Sequence, residues 1–211
     1  MVLDSLYFAL AVVAEIAILV AIFELIGLVD TIPTNFAMSR FAQENGWEFQ
    51  PGRSSMFFIK PFQLVSPYDN TLTITVRRTI GSKYSHSSLK LSVHISNPKR
   101  VSLLVKNYGL FEKKHLYFKN LWDGRLFVQS KPVSFGRMLF HSTELLQEVY
   151  SCIRTWSLFS GNSIKLRPSG NLEILLIDKN FDSQSAKKLI SLAAQISSRI
   201  EQIELENQKP S

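Results

Sequence analysis

Residues 5–29 form an almost unbroken run of Leu, Ile, Val, Ala and Phe, with one Ser, one Tyr, one Gly and two carboxylates, Glu15 and Glu24. As a helix, about 25 residues at ~1.5 Å each reach ~37 Å, enough to cross a hydrocarbon core of about 30 Å with some tilt. The run is apolar on every side, whereas a helix on the surface of a soluble domain keeps one side polar. A buried core helix is the competing reading. A cleaved leader fits poorly, because no Lys or Arg precedes the run, Asp4 stands there instead, and the run is too long. The pattern predicts a transmembrane anchor over residues 1–30.

After the anchor the periodicity changes. Thr31-Ile32-Pro33-Thr34 is expected to end the span and to start a short juxtamembrane helix over 31–46, stopped by Gly46, with Phe36, Ala37, Phe41 and Ala42 available to pack. Alternation follows: Leu72, Ile74 and Val76 between threonines, then Leu89, Leu91, Val93 and Ile95 between Lys90, Ser92 and His94. A period of two buries one face and wets the other, so these strands predict an antiparallel sheet. Residues 80–88 read as their connection. Val101, Leu103 and Val105 predict a further strand, and residues 115–129 a strand or hairpin broken at Trp122-Asp123-Gly124. Residues 132–156 read as one helix packing through Leu139, Leu145, Leu146, Val149 and Ile153. Two short strands, 163–167 and 171–177, are joined by the turn Pro168-Ser169-Gly170. A last helix starts near Asp182-Ser183 and carries Leu189, Ala193, Ile196, Ile200 and Ile203 on one stripe. The expected fold is therefore α+β: one N-terminal transmembrane helix, then a mostly antiparallel sheet packed with two or three helices. The soluble domain occupies 47–206, with a frayed tail at 207–211.

Glu15 falls near the middle of the predicted span, where a charge costs ~2.5–3.5 kcal/mol, so it calls for a partner. Ala14, Ala17, Ala21 and Glu24 recur at spacings of three, four and three. Three small side chains and a carboxyl on one stripe allow another helix to approach closely and hydrogen-bond, which makes these residues and Glu15 candidate helix–helix contacts. Glu24 also lies close enough to the membrane end to reach water directly.

Charge then divides the molecule. Residues 1–30 hold four carboxylates and no Lys or Arg, so the total of +7 splits into −4 for the anchor and +11 for the rest. Residues 69–137 carry 13 Lys or Arg against three acids, with Arg77, Arg78, Lys83, Lys90, Lys99, Arg100, Lys113 and Lys114 as the candidate basic surface. Beside a membrane such a surface would meet anionic lipid headgroups, at ~1 kcal/mol per basic residue near the surface. The domain is accordingly expected on the cytoplasmic side of its membrane. Tyr84, Tyr108, Phe111, Tyr117, Phe118 and Trp122 lie among these lysines and are suited to stacking on single-stranded nucleic acid. No RNA-binding signature accompanies them, which leaves nucleic acid behind lipid or an acidic protein as a partner.

Signs of catalysis are sparse. The chain has no glycine-rich phosphate loop, no serine nucleophile elbow and no helical His-Glu metal motif. His86, His94, His115 and His141 are scattered, and His94 reads as a solvated strand residue rather than a ligand. Cys152, the single cysteine, excludes a disulfide framework and reads as a small core side chain. Asp123 and Asp182 suit turn and cap positions. No cofactor or metal is expected, and catalytic residues are not assigned.

The order of these segments also resembles a group of bacterial membrane-anchored α+β proteins with no assigned reaction. The likeness rests on Glu44-Asn45-Gly46-Trp47, the stretch from Asp123-Gly124-Arg125 through Leu126-Phe127-Val128-Gln129-Ser130, Leu139-Phe140, Glu144-Leu145-Leu146, the hairpin from Ile164 to Leu176 and the last long helix. It implies the architecture and no site. The sequence is thus read as a non-catalytic single-pass membrane protein, an accessory or scaffold subunit whose helix meets other transmembrane helices or a second copy of itself. A membrane-tethered binder of anionic lipid or nucleic acid is the alternative, and an unrecognised enzyme comes third.

Overall fold

The computed structural model describes residues 2–54, 59–68, 70–78, 85–97, 99–107, 126–141, 143–153, 161–177 and 181–206. The apolar run and the segment after it form one helix, α1 (Val2–Asn45), which passes through Pro33 without a stop. The expected restart at Thr31–Thr34 does not occur. An internal proline costs a helix about 3 kcal/mol, but Met38, Phe41 and Ala42 just beyond it are buried in the domain, and that packing holds the helical path. Gly46, at φ 67°, ends the helix as expected, and the Trp47 N–H closes back on the Ala42 carbonyl at 2.9 Å. Of the residues available to pack, Phe41 and Ala42 are buried and Phe36 is exposed.

Four short strands follow, β1 (Glu48–Gln50), β2 (Arg53–Ser54), β3 (Ile59–Lys60) and β4 (Phe62–Val65). The two alternating runs become β5 (Thr71–Arg78) and β6 (Ser85–His94), and the next becomes β7 (Ser102–Asn107). Of the hairpin expected over 115–129, the part up to 125 lies outside the described residues, and the remainder starts β8 (Leu126–Lys131). The helix expected over 132–156 is two helices, α2 (Val133–Leu139) and α3 (Thr143–Ile153). The first closes at Phe140, where the His141 N–H reaches back only three residues to the Met138 carbonyl. Both helices still bury the predicted Leu139, Leu145, Leu146, Val149 and Ile153. The chain ends with β9 (Ser163–Leu166), β10 (Asn171–Ile177) and α4 (Ser183–Glu206).

The architecture is α+β, with a long apolar N-terminal helix and an eight-stranded sheet in the order β1-β4-β5-β6-β10-β9-β7-β8. Every strand pairing among the described residues is antiparallel. The β9–β10 hairpin, late in the chain, fills the gap between β6 and β7. Its register aligns one apolar residue per strand across seven strands: Leu64, Leu72, Leu91, Ile174, Ile164, Val105 and Val128. All seven are buried, and with Leu189, Ala193, Ile196, Ile200 and Ile203 of α4 they belong to one core. Fully burying a Leu, Ile or Val contributes ~1.5–3 kcal/mol, so this row and its helical cover dominate the domain's stability. The opposite sheet face carries Thr71, Thr73, Lys90, Ser92, Glu173 and Lys165.

Polar side chains tie the corners. Asp182 accepts the Ser185 N–H at 2.7 Å and caps α4, as the sequence predicts. The buried Asn162 donates to the Ile153 carbonyl and accepts the Ile177 N–H at 2.7 Å, joining α3 to β10. Phe41 stands edge-on to Trp47 and to Phe181, at 5.8 and 5.7 Å between ring centres, which fixes the end of α1 to the segment leading into α4.

Candidate membrane anchor and basic surface

Among the described residues α1 is the one helix long and apolar enough, by length and composition, to cross a membrane, and its most apolar stretch is covered by nothing else in the chain. At ~1.5 Å per residue, its first 22 residues or so reach ~33 Å. Ala14, Glu15, Ala17 and Ala21 are all exposed on this bare part. Seven residues make nearly two helical turns, so Ala17, Glu24, Thr31 and Met38 fall on one side of α1. Thr31 and Met38 are buried, so this is the side against which the domain packs. Glu24, half-buried, accepts a hydrogen bond from Arg53 Nη2 of β2 at 3.1 Å. The carboxyl that the sequence offers to another helix is therefore engaged within the chain, while the three alanines below it remain uncovered. Arg53 lies 29 residues away on a two-residue strand, and no local pattern marks it as that partner.

The Glu24–Arg53 pair is a contact between the domain and α1 at the end of the bare stretch. Both groups keep water contact, and a pair of this kind contributes ~0–1 kcal/mol, so it orients more than it stabilises. The β2–β3 hairpin that supplies Arg53 is a separate two-stranded sheet: carrying the Phe62–Ile74 register of β4 and β5 back through Pro61 sets β3 beside the part of β5 that ends in Arg77 and Arg78.

The basic residues do not form one cluster. Arg53, Lys60 and the Arg77–Arg78 end of β5 share the sheet end next to Glu24. Lys99 and Arg100 are exposed in the turn after β6, at the other end of a ten-residue strand about 30 Å long. Lys90 is held on the open sheet face by Glu173 at 3.2 Å. Lys83, Lys113 and Lys114, with the aromatics Tyr84, Tyr108, Phe111, Tyr117, Phe118 and Trp122, lie outside the described residues.

Glu173 is the acidic centre of the open face, which the sequence reading did not single out. It contacts Lys90 and, at 3.4 Å, Arg167, and it accepts a hydrogen bond from Asn171 at 3.3 Å. Desolvation pushes its pKa up, but the hydrogen bonds and charges of Lys90 and Arg167 outweigh that and hold the carboxyl below its ordinary value. Cys152 packs at the margin of the core, and burial, set against the Lys188 charge, pushes its thiol up to about 11. Such a thiol is a poor nucleophile at neutral pH. His94 is exposed at the end of β6. Among the described residues no three His, Cys, Asp or Glu side chains come together as a metal site.

Comparison with protein-family models, curated proteins and solved structures finds no match for this chain.

Proposed function

We propose that this chain is a non-catalytic, single-pass membrane protein that serves as an accessory or scaffold subunit of a larger membrane complex, with its basic domain on the cytoplasmic face of a bacterial inner membrane. The observation that carries the reading is the continuity of α1. One helix runs from a bare, largely apolar stretch straight into the core at Met38, Phe41 and Ala42. A removable leader has no reason to share a helix with core residues, whereas an anchor that positions a domain does. Ala14, Ala17 and Ala21 give the span a flat side on which a neighbouring helix can seat.

The test is purification from the native membrane in mild detergent. Partners that accompany the wild-type chain should be lost from the double substitution Ala17→Leu, Ala21→Leu, with the domain still folded. Co-purification that survives both leucines removes the proposal.

A second reading is favoured by the sheet end beside Glu24, where Arg53, Lys60, Arg77 and Arg78 gather. A bilayer ending near Glu24 would bring its anionic headgroups to this end of the sheet. In vesicles reconstituted with and without anionic lipid, amide exchange at the β5 end should slow only with anionic lipid and recover in high salt.

A further inference from the structure

Residues 15, 18, 22, 25, 29, 32 and 36 of α1 are Glu, Ile, Ile, Leu, Val, Ile and Phe, spaced three, four, three, four, three and four. A seven-residue repeat of this kind keeps one seam on one side of a helix, the pattern of a two-stranded coil. Four members lie beyond the Glu24–Arg53 pair, where the helix already runs beside the domain. Leu25, Val29, Ile32 and Phe36 are nonetheless 63%, 54%, 55% and 71% exposed, because the domain packs on the other side of α1, through Thr31, Met38, Phe41 and Ala42. The seam turns polar at its next two positions, Ser39 and Gln43.

Lipid does not account for the whole seam. From residue 2 to residue 36 the helix extends about 51 Å, against ~30 Å of hydrocarbon and ~40–45 Å of full bilayer. Phe36 stands about 18 Å beyond Glu24 along the axis, one turn before the Arg40–Glu44 ion pair of the same helix. With the bilayer ending near the Glu24–Arg53 pair, acyl chains do not reach this part of the seam.

We propose that the cover is the same face of a second copy of this chain, in a parallel, in-register pair that continues from the membrane into the juxtamembrane segment. The inference rests on α1 being a membrane anchor. Two considerations select a second copy. Copies inserted in one orientation meet parallel, so each member of the seam faces its own counterpart and the face is self-complementary by construction. The seam also contains Glu15, exposed on the bare stretch of helix. Pairing across the axis brings two Glu15 carboxyls together, where a proton held between them would let one donate a hydrogen bond to the other. A polar residue at one core position of such a coil fixes register and copy number. The β2–β3 hairpin and the sheet flank this arrangement from the other side of each helix and leave the seam free.

The experiment uses the full chain in native membranes, with Cys152→Ser as background. Single substitutions Val29→Cys, Ile32→Cys and Phe36→Cys should each give disulfide-linked dimers under mild oxidation, and Thr34→Cys, off the seam, should not. With Val29→Cys as reporter, Glu15→Gln should keep the dimer and Glu15→Leu should lower its yield about threefold to tenfold, the range expected of a hydrogen bond between membrane helices. Equal cross-linking at Thr34→Cys overturns the proposal, as does absence of dimer at all three seam positions or adducts only to a different protein. Alkaline carbonate washing of the same membranes separates the two readings. Chain retained in the pellet without dimer sinks the pairing and leaves the anchor, whereas chain released by the wash sinks both.

Discussion

The two longest helices, α1 and α4, treat their apolar residues in opposite ways. In α4 they recur on one stripe, and Ala186, Leu189, Leu192, Ala193, Ile196, Ile200 and Ile203 are all buried, with charged residues such as Lys187 and Lys188 turned outward. In α1 they cover every side, and Ile16, Ile18, Leu19 and Ile22 are exposed. A sheet can cover one side of a helix and no more. What decides whether a helix finds its solvent within the chain is thus the distribution of its apolar residues around the axis, and their number matters less.

That contrast can be broken most directly at matched isoleucines. Ile196→Ala in α4 should cost the domain ~2–5 kcal/mol in denaturant unfolding, the usual range for emptying a packed core site. Ile18→Ala in α1 should leave the same transition where it was, and a shared loss would mean that the bare stretch belongs to the fold. A smaller effect is expected one layer down, in the hairpin that lies under α4. Gly170 has φ 85°, and a Cβ there would press on the Ile95 carbonyl oxygen. Gly170→Ala should therefore destabilise by ~1–3 kcal/mol, and an unchanged midpoint would show that the turn can relax. The smallest effect lies on the sheet face turned away from α4. Because the Glu173 carboxyl is held below its ordinary pKa in the folded chain, its contribution is complete above the ordinary carboxylate range and fades as pH falls through the lowered value. Glu173→Gln should flatten that acid limb of the stability curve, and a limb of unchanged slope would assign it to other carboxylates.

Much of the domain was legible because its signals are local. Period-two alternation marked β5, β6 and β7, the Pro168-Ser169-Gly170 turn marked the hairpin, and the stripe from Leu189 to Ile203 marked α4. What escaped depends on distance in the chain. Nothing in residues 163–177 says that they pair with β6 on one side and β7 on the other, because register across a sheet is set by total burial. Strands of two to four residues, such as β1 to β4, are too short to show a period. Pro33 misled in the same way, since local chemistry argued for a stop and distant packing at Phe41 outweighed it. At the anchor the alanine stripe and Glu24 were visible from spacing alone. Arg53 was not, and neither was the outward turn of Phe36, because both follow from where the domain folds back along α1.

The placement of β9 and β10 also sets an order of assembly. Chains are made from the N-terminus, and N-terminal parts commonly organise first. Here the two strands that unite β6 with β7 come from residues 163–177, after the other six strands of the sheet. Two half-sheets with unpaired inner edges must therefore wait until β9 and β10 have been made.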